Sequence, residues 1–226
     1  TTANSNTAVG QAALKENTTG AINTAVGANA LLSNTTGDSN VAVGNNALDA
    51  NTTGRLNTAV GLDSLSSNTT ADNNTSIGQG SLELNTTGSE NTALGRAALN
   101  ANTTAANNTA LGYFALLANT TGLANTAVGS LALKAVTTGN QNTGMGHNNL
   151  IACTTGGQNC AFGPDALQSV STGSNNIGIG HDAGRTASPS GNITTASNQI
   201  CLGNNNVTDA FIKVAFQTGS DKRDKT

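Results

Sequence analysis

The feature that most constrains this chain is its period: the same residue types return at every seventeenth position. Written in rows of that length, the sequence places Asn6, Asn23, Asn40, Asn57, Asn74, Asn91, Asn108, Asn125, Asn142, Asn159 and Asn176 in one column. Four places on stands a glycine column from Gly10 and Gly27 to Gly180, preceded by Val9, Val26, Val43, Val60 and then Ile, Leu, Val, Met or Phe. A second apolar column runs from Leu14, Leu31 and Leu48 to Leu167, and the row consensus is N-T-A-V-G-x-x-A-L-x-x-N-T-T-G-x-x. A short fixed period marks stacked units, each too small to bury a hydrophobic face alone. A row of this length is too short for a helix pair and suits one coil of a β-solenoid, with the T-A-V strand stacking on its counterpart in the next coil. The expected fold is therefore an all-β, repetitive solenoid. The A-L-x-x-N segment reads equally as a second short strand or a single helical turn. At ~4.7–4.9 Å per strand, about eleven coils give a rod on the order of 50 Å long.

Composition limits how such a rod can be held together. Only 9% of the 226 residues are charged and 2% aromatic, with no tryptophan, against roughly 25% charged in an ordinary globular domain. Each coil offers about two large apolar side chains, worth ~1.5–3 kcal/mol apiece when buried, against ~1–2 kcal/mol for ordering each residue's backbone. This predicts that the columns of Val9, Val26 and Val43 and of Leu14, Leu31 and Leu48 all point inward, pooled among three chains about one axis. A monomer whose alanines let two walls approach is the competing arrangement. A net charge of -3 supplies no basic field for nucleic acid, and no apolar run approaches the ~20 residues needed for membrane insertion as a helix. Cys153, Cys160 and Cys201 match no zinc or redox spacing. No cofactor or metal is expected.

The rows divide the chain into a regular array over 1–175, an irregular longer coil over 176–198, a C-terminal β segment over 199–219 and a distinct charged run over 220–226. In the irregular coil Gly184 replaces the leucine and Ser188-Pro189-Ser190-Gly191 is inserted; irregular loops on a regular scaffold are where binding usually sits. Thr1 to Ser5 reads as the tail of a preceding row, so the array is expected to continue upstream.

Asn17, Thr18, Thr19, Asn34, Thr35 and Thr36 and their repeats read as turn and ladder positions rather than as the glycosylation acceptors they formally are. Regular threonine ranks also suggest a second function, ice binding. Against it, neighbouring residues of a strand face opposite sides, so N-T-T cannot present both hydroxyls on one flat face. His147 and His181 share a column two coils apart, roughly 10 Å, too far for one metal within a chain. Asp63, Asp165 and Asp182 fall in loops and read as lacking partnered acids, Gly178-Ile179-Gly180 continues the repeat, and no nucleophile cluster is seen. The expectation is a non-enzymatic protein.

The rows Asn6-Thr7-Ala8-Val9-Gly10 and Asn23-Thr24-Ala25-Val26-Gly27 resemble the head repeats of trimeric autotransporter adhesins, which implies a left-handed parallel β-roll and a homotrimer. The run Asn198-Gln199-Ile200-Cys201-Leu202-Gly203-Asn204-Asn205-Asn206-Val207-Thr208, continuing through Ala210-Phe211-Ile212-Lys213-Val214 to Ser220-Asp221-Lys222-Arg223-Asp224-Lys225-Thr226, is similar to a junction in phage tail fibres and tailspikes. There the shaft meets an endosialidase-type intramolecular chaperone that trimerises, templates the shaft and cuts itself off between a serine and an aspartate. The resemblance implies self-cleavage at Ser220-Asp221, with 220–226 the first residues of the chaperone and its catalytic residues outside this sequence. It further implies a structural and host-recognition role in a virion tail, or on a bacterial cell surface, with a host surface polysaccharide as the partner class.

Overall fold

A computed structural model describes residues 4–186 and 188–208. Twelve three-residue strands follow one another: β1 (Thr7–Val9), β2 (Thr24–Val26), β3 (Val41–Val43), β4 (Thr58–Val60), β5 (Thr75–Ile77), β6 (Thr92–Leu94), β7 (Thr109–Leu111), β8 (Thr126–Val128), β9 (Thr143–Met145), β10 (Cys160–Phe162), β11 (Ile177–Ile179) and β12 (Ile200–Leu202). They form one parallel sheet in chain order. The register is that of the repeat, Thr7 opposite Thr24 and Val9 opposite Val26. Only the last step differs: Ile177 pairs with Ile200, one row plus the insertion further along the chain. The fold is thus a β-solenoid, and its ladder runs one strand further than the regular rows. No helix among the described residues is long and apolar enough to cross a membrane.

Each strand is so short that its pleat decides everything. The central residue points inward and the two flanking residues point out. Ala25, Ala42, Ala59, Ala93, Ala110 and Ala127 are accordingly fully buried, together with Leu31, Leu48 and the rest of the leucine column through Leu167. Leu14 is only partly buried because its coil, the first one described, is stacked on one side.

The valine column corrects the sequence reading. Val9 is 58% exposed and Val26 36% exposed, and Val43 is half-buried. None of the three belongs to the chain's own core. With alanine inward, residues one step away on either side must face out, and the interior has room for one leucine and small side chains per coil.

What fills the rest is asparagine. Asn23, Asn34, Asn40 and Asn51 are completely buried. In the first ladder Asn6 Oδ1 accepts from the Asn23 backbone N–H at 2.8 Å, and Asn6 Nδ2 donates to the Gly20 carbonyl at 2.8 Å. The pattern continues as far as Asn176, which donates to the Ala196 carbonyl and accepts from the Gln199 amide. In the second ladder Asn17 donates to the same Gly20 carbonyl, while its Oδ1 accepts from Asn34 Nδ2 at 2.9 Å. Buried amides are tolerated only when both ends are satisfied, and coil stacking supplies a partner above and below.

The A-L-x-x-N segment is neither strand nor helical turn. It is a pair of tight turns whose leucine column, Leu14 to Leu167, adopts left-handed backbone with φ between 47 and 55°. Such a conformation is unfavourable by about 1–2 kcal/mol per non-glycine residue and is held here by inter-coil bonds such as Leu14 N–H to the Ala30 carbonyl, 3.0 Å. The glycine column has a different cause. At Gly10 (φ 131°) an added Cβ would lie 2.5 Å from the Gly27 carbonyl oxygen, so successive coils approach too closely there for any side chain.

Candidate functional site

Because Thr7 and Val9 both point away from the core, the outer sheet face carries two parallel columns. The threonine column, interrupted by Val41 in β3, is half-buried or exposed from β1 to β9. Beside it stand Val9, Val26, Ile77, Leu94, Met145, Phe162, Ile179 and Leu202, all at least 36% exposed. Strand spacing makes this a continuous apolar stripe roughly 50 Å long. Soluble monomers rarely leave contiguous apolar patches larger than a few hundred Å² in water, so this face is the first candidate for an interface. Its signal in the sequence was the alternation within T-A-V, which places alanine and valine on opposite sides.

The N-T-T-G segments form a different edge. Thr18 Oγ1 donates to the Thr35 carbonyl at 2.8 Å and Thr35 Oγ1 to the Thr52 carbonyl at 2.9 Å, a ladder repeated down to Thr154 and Ser171. Asn17 and Asn34 face the interior, and Thr19 and Thr36 are exposed. The two threonines of each row therefore do different work, one closing the stack and one meeting solvent. No family model, curated protein or solved structure matches this chain. Its function has to be read from the geometry of its own faces.

At the C-terminal end the loops depart from the repeat. Asp165 and Asp182, which read as unpartnered, are one row apart and so stand in adjacent coils. With His181 they bring three ligand-type atoms within 4.8 Å of one another. His181 Nδ1 lies 3.1 Å from Asp182 Oδ2, and Arg185 Nη1 bonds Asp182 Oδ1 and lies 4.0 Å from Asp165 Oδ2. Arg185 thus supplies this cluster with a cation beside its two carboxylates. His147 takes no part in it. Asp63 is instead the acceptor at the end of an Asn29–Asn46–Asp63 side-chain ladder, and its charge adds to the burial that raises the carboxyl pKa of Asp49.

Across the insertion the Ile193 N–H donates to the Gly184 carbonyl, 2.8 Å. Cys201, at the inward position of β12, accepts from the Gly184 amide at 3.0 Å and touches Ser188 Oγ at 2.8 Å. Cys153 is buried, and burial pushes its thiol up to about 11; Cys160 is half-buried and raised for the same reason. Ser220 and Asp221, with Ala210 to Val214, lie outside the described residues.

Proposed function

We propose that this chain is a non-enzymatic structural segment of a fibre, a phage tail fibre or a related surface adhesin, that self-associates as a homotrimer and spaces or presents a host-binding element. The observation that carries the reading is the exposed apolar stripe on the outer face of β1–β12. Three copies arranged about one axis bring three such stripes together and remove them from water. At ~25 cal/mol per Å² of apolar surface, even a few hundred Å² per chain contributes several kcal/mol to association. The assignment to a tail or cell surface, and to a polysaccharide as partner class, rests on the resemblance of the repeats and of the C-terminal junction.

Sedimentation equilibrium at micromolar concentration tests the assembly: three times the chain mass of 22.3 kDa is expected, and a folded single-chain species overturns it. Leu94→Asp combined with Leu111→Asp, both on the outer face, should release folded monomers. The junction is tested on a longer parent chain by intact mass: release of a product ending at Ser220, blocked by Ser220→Ala or Asp221→Ala, is expected. A parent that stays full length with its downstream domain folded and trimeric overturns that part.

One observation favours a second reading, ice binding. Threonine and an aliphatic residue stand two apart on the outer face, in register over successive strands except at Val41 in β3, a regular hydroxyl-and-methyl array of the kind the N-T-T turns cannot form. The two readings need the same face. Thermal hysteresis from a monomer replaces the fibre reading; trimeric protein without hysteresis removes ice binding.

A further inference from the structure

We propose that Arg96, Tyr113, Phe114 and Lys134 form a binding patch for an acidic saccharide, with a sugar ring stacked on Tyr113 and its carboxylate paired with Arg96 or Lys134. Three consecutive coils build it. Tyr113 and Phe114 stack with ring centroids 4.0 Å apart at 25°. The Arg96 guanidinium lies 5.8 Å from the Tyr113 centroid and 5.5 Å from that of Phe114, and Lys134 Nζ lies 6.0 Å from the Phe114 centroid. Tyr113 is 44% exposed, and this is the only stacked aromatic pair among the described residues.

The charge pattern points the same way. Among the described residues Lys15 pairs with Glu16, Arg55 with Asp38, and Arg185 with Asp165 and Asp182. Arg96 and Lys134 have no carboxylate partner among those residues, and both converge on the aromatic pair. Arg96 is held by its Nε donating to Gln79 Oε1 at 3.1 Å, which leaves its outer nitrogens available. Contact with the rings pre-orients each cation. An anion of matching shape can therefore pair without the full cost of ordering a free side chain.

Phe114 is stacked against Tyr113, which is still 44% exposed, so part of the tyrosine ring meets solvent. An open ring face suits the flat C–H face of a pyranose, whose polarised hydrogens meet the negative π cloud. Gln79 and Ser130, which share the column of Arg96 and Tyr113 in the coils to either side, offer amide and hydroxyl groups to sugar hydroxyls. Two cations are too few to hold a nucleic acid backbone. A single patch of this kind binds weakly, and copies on several chains would add avidity. The inference deepens the host-recognition part of the proposed function but is independent of the trimer.

The test uses an accident of composition: Tyr113 is the sole tyrosine and the chain has no tryptophan, so tyrosine fluorescence of the whole protein reports this patch alone. Titration with oligogalacturonate and with oligoalginate, both built of uronic acids, should give a saturable change with at least one of them, and neutral maltooligosaccharides should give none. Arg96→Gln with Lys134→Gln, which keeps the reporter, should weaken binding about tenfold or more with unchanged melting. No saturable change with either uronic acid oligomer, an equal response to maltooligosaccharide or to polyglutamate, or unaltered affinity in the double variant overturns the proposal. A trimer without saccharide response leaves the fibre reading standing and removes the patch. A saccharide response from a monomer does the reverse.

Discussion

The coils of β1–β7 and those of β8–β10 share one outline and one leucine column, yet fill the same interior corner with opposite chemistry. From Asn17 to Asn119 that corner holds the second asparagine ladder, each Nδ2 reaching the Oδ1 of the coil before. From β8 to β10 it holds Val136, Cys153 and Val170, and in the longer coil of β11 Ile193, all buried. Where the two fillings meet, Asn119 Oδ1 is buried without a hydrogen-bond partner, because Val136 offers no donor to it. The boundary leaves one orphan acceptor, of about 1–3 kcal/mol, and moving the boundary by a coil would only move the orphan. Either filling is stable inside a uniform stretch; the change between them is what costs.

Other local exchanges occur within each region. Ser64, Ser76 and Ser81 replace three core alanine positions at once and bond to one another, Ser64 Oγ to Ser76 Oγ at 2.8 Å and Ser76 Oγ to Ser81 Oγ at 2.6 Å. In β9, Gly144 stands where most strands have alanine, and Asn149 occupies the space: a Cβ on Gly144 would collide with Asn149 Oδ1.

Four measurements would break or sharpen the comparison. The largest effect is expected at the element both regions share: Leu99→Asp and Leu150→Asp, one from each, should both lower stability by more than about 4 kcal/mol in chemical denaturation. A mild effect in one region alone would show that the leucine column is not the common support. Next, Gly144→Ala should cost about 1–3 kcal/mol by overpacking, and the double variant Gly144→Ala/Asn149→Ala, which restores the alanines of neighbouring rows, should recover most of it. Additive losses would break the pairing argument.

The apolar corner should also be sensitive to alkali in a way the asparagine corner is not. Burial raises the Cys153 thiol from 9.0 to about 11, so the folded state holds this proton more tightly than the unfolded chain. Its stabilising contribution is complete below pH 9 and falls away between pH 9 and about 11, by up to roughly 2–3 kcal/mol. Cys153→Val should flatten that part of the stability profile, and an unchanged slope would place the titration elsewhere. The finest distinction is between two asparagines. Asn68→Ala strips the donor from Asn51 Oδ1 and creates an orphan, whereas Asn119→Ala orphans Asn102 Oδ1 but removes the orphan already present. Urea titration should therefore find Asn119→Ala less damaging by about 1–3 kcal/mol; equal losses would mean that the boundary carries no penalty.

The sequence by itself determined the period, the parallel in-register stacking, the position of each strand and the buried leucine column, because a repeat that returns the same residue in every row can satisfy itself only by stacking like on like. The asparagine, threonine and glycine columns were equally legible as a regular ladder, since turn chemistry and close backbone approach leave a residue-type signature. Which side of the strand each column faced was decided only in the folded chain. A three-residue strand has one inward position, and alanine takes it because the opposite wall already supplies leucine; the strand's own valine then faces out. Left-handed backbone at leucine was equally hidden, as nothing in leucine's own preference asks for it and only the ladder bonds on either side impose it. The grouping of Asp165 with His181 and Asp182, and of Arg96 with Tyr113, Phe114 and Lys134, depended on the small rise per coil, which turns a separation of a whole row in sequence into direct contact in space.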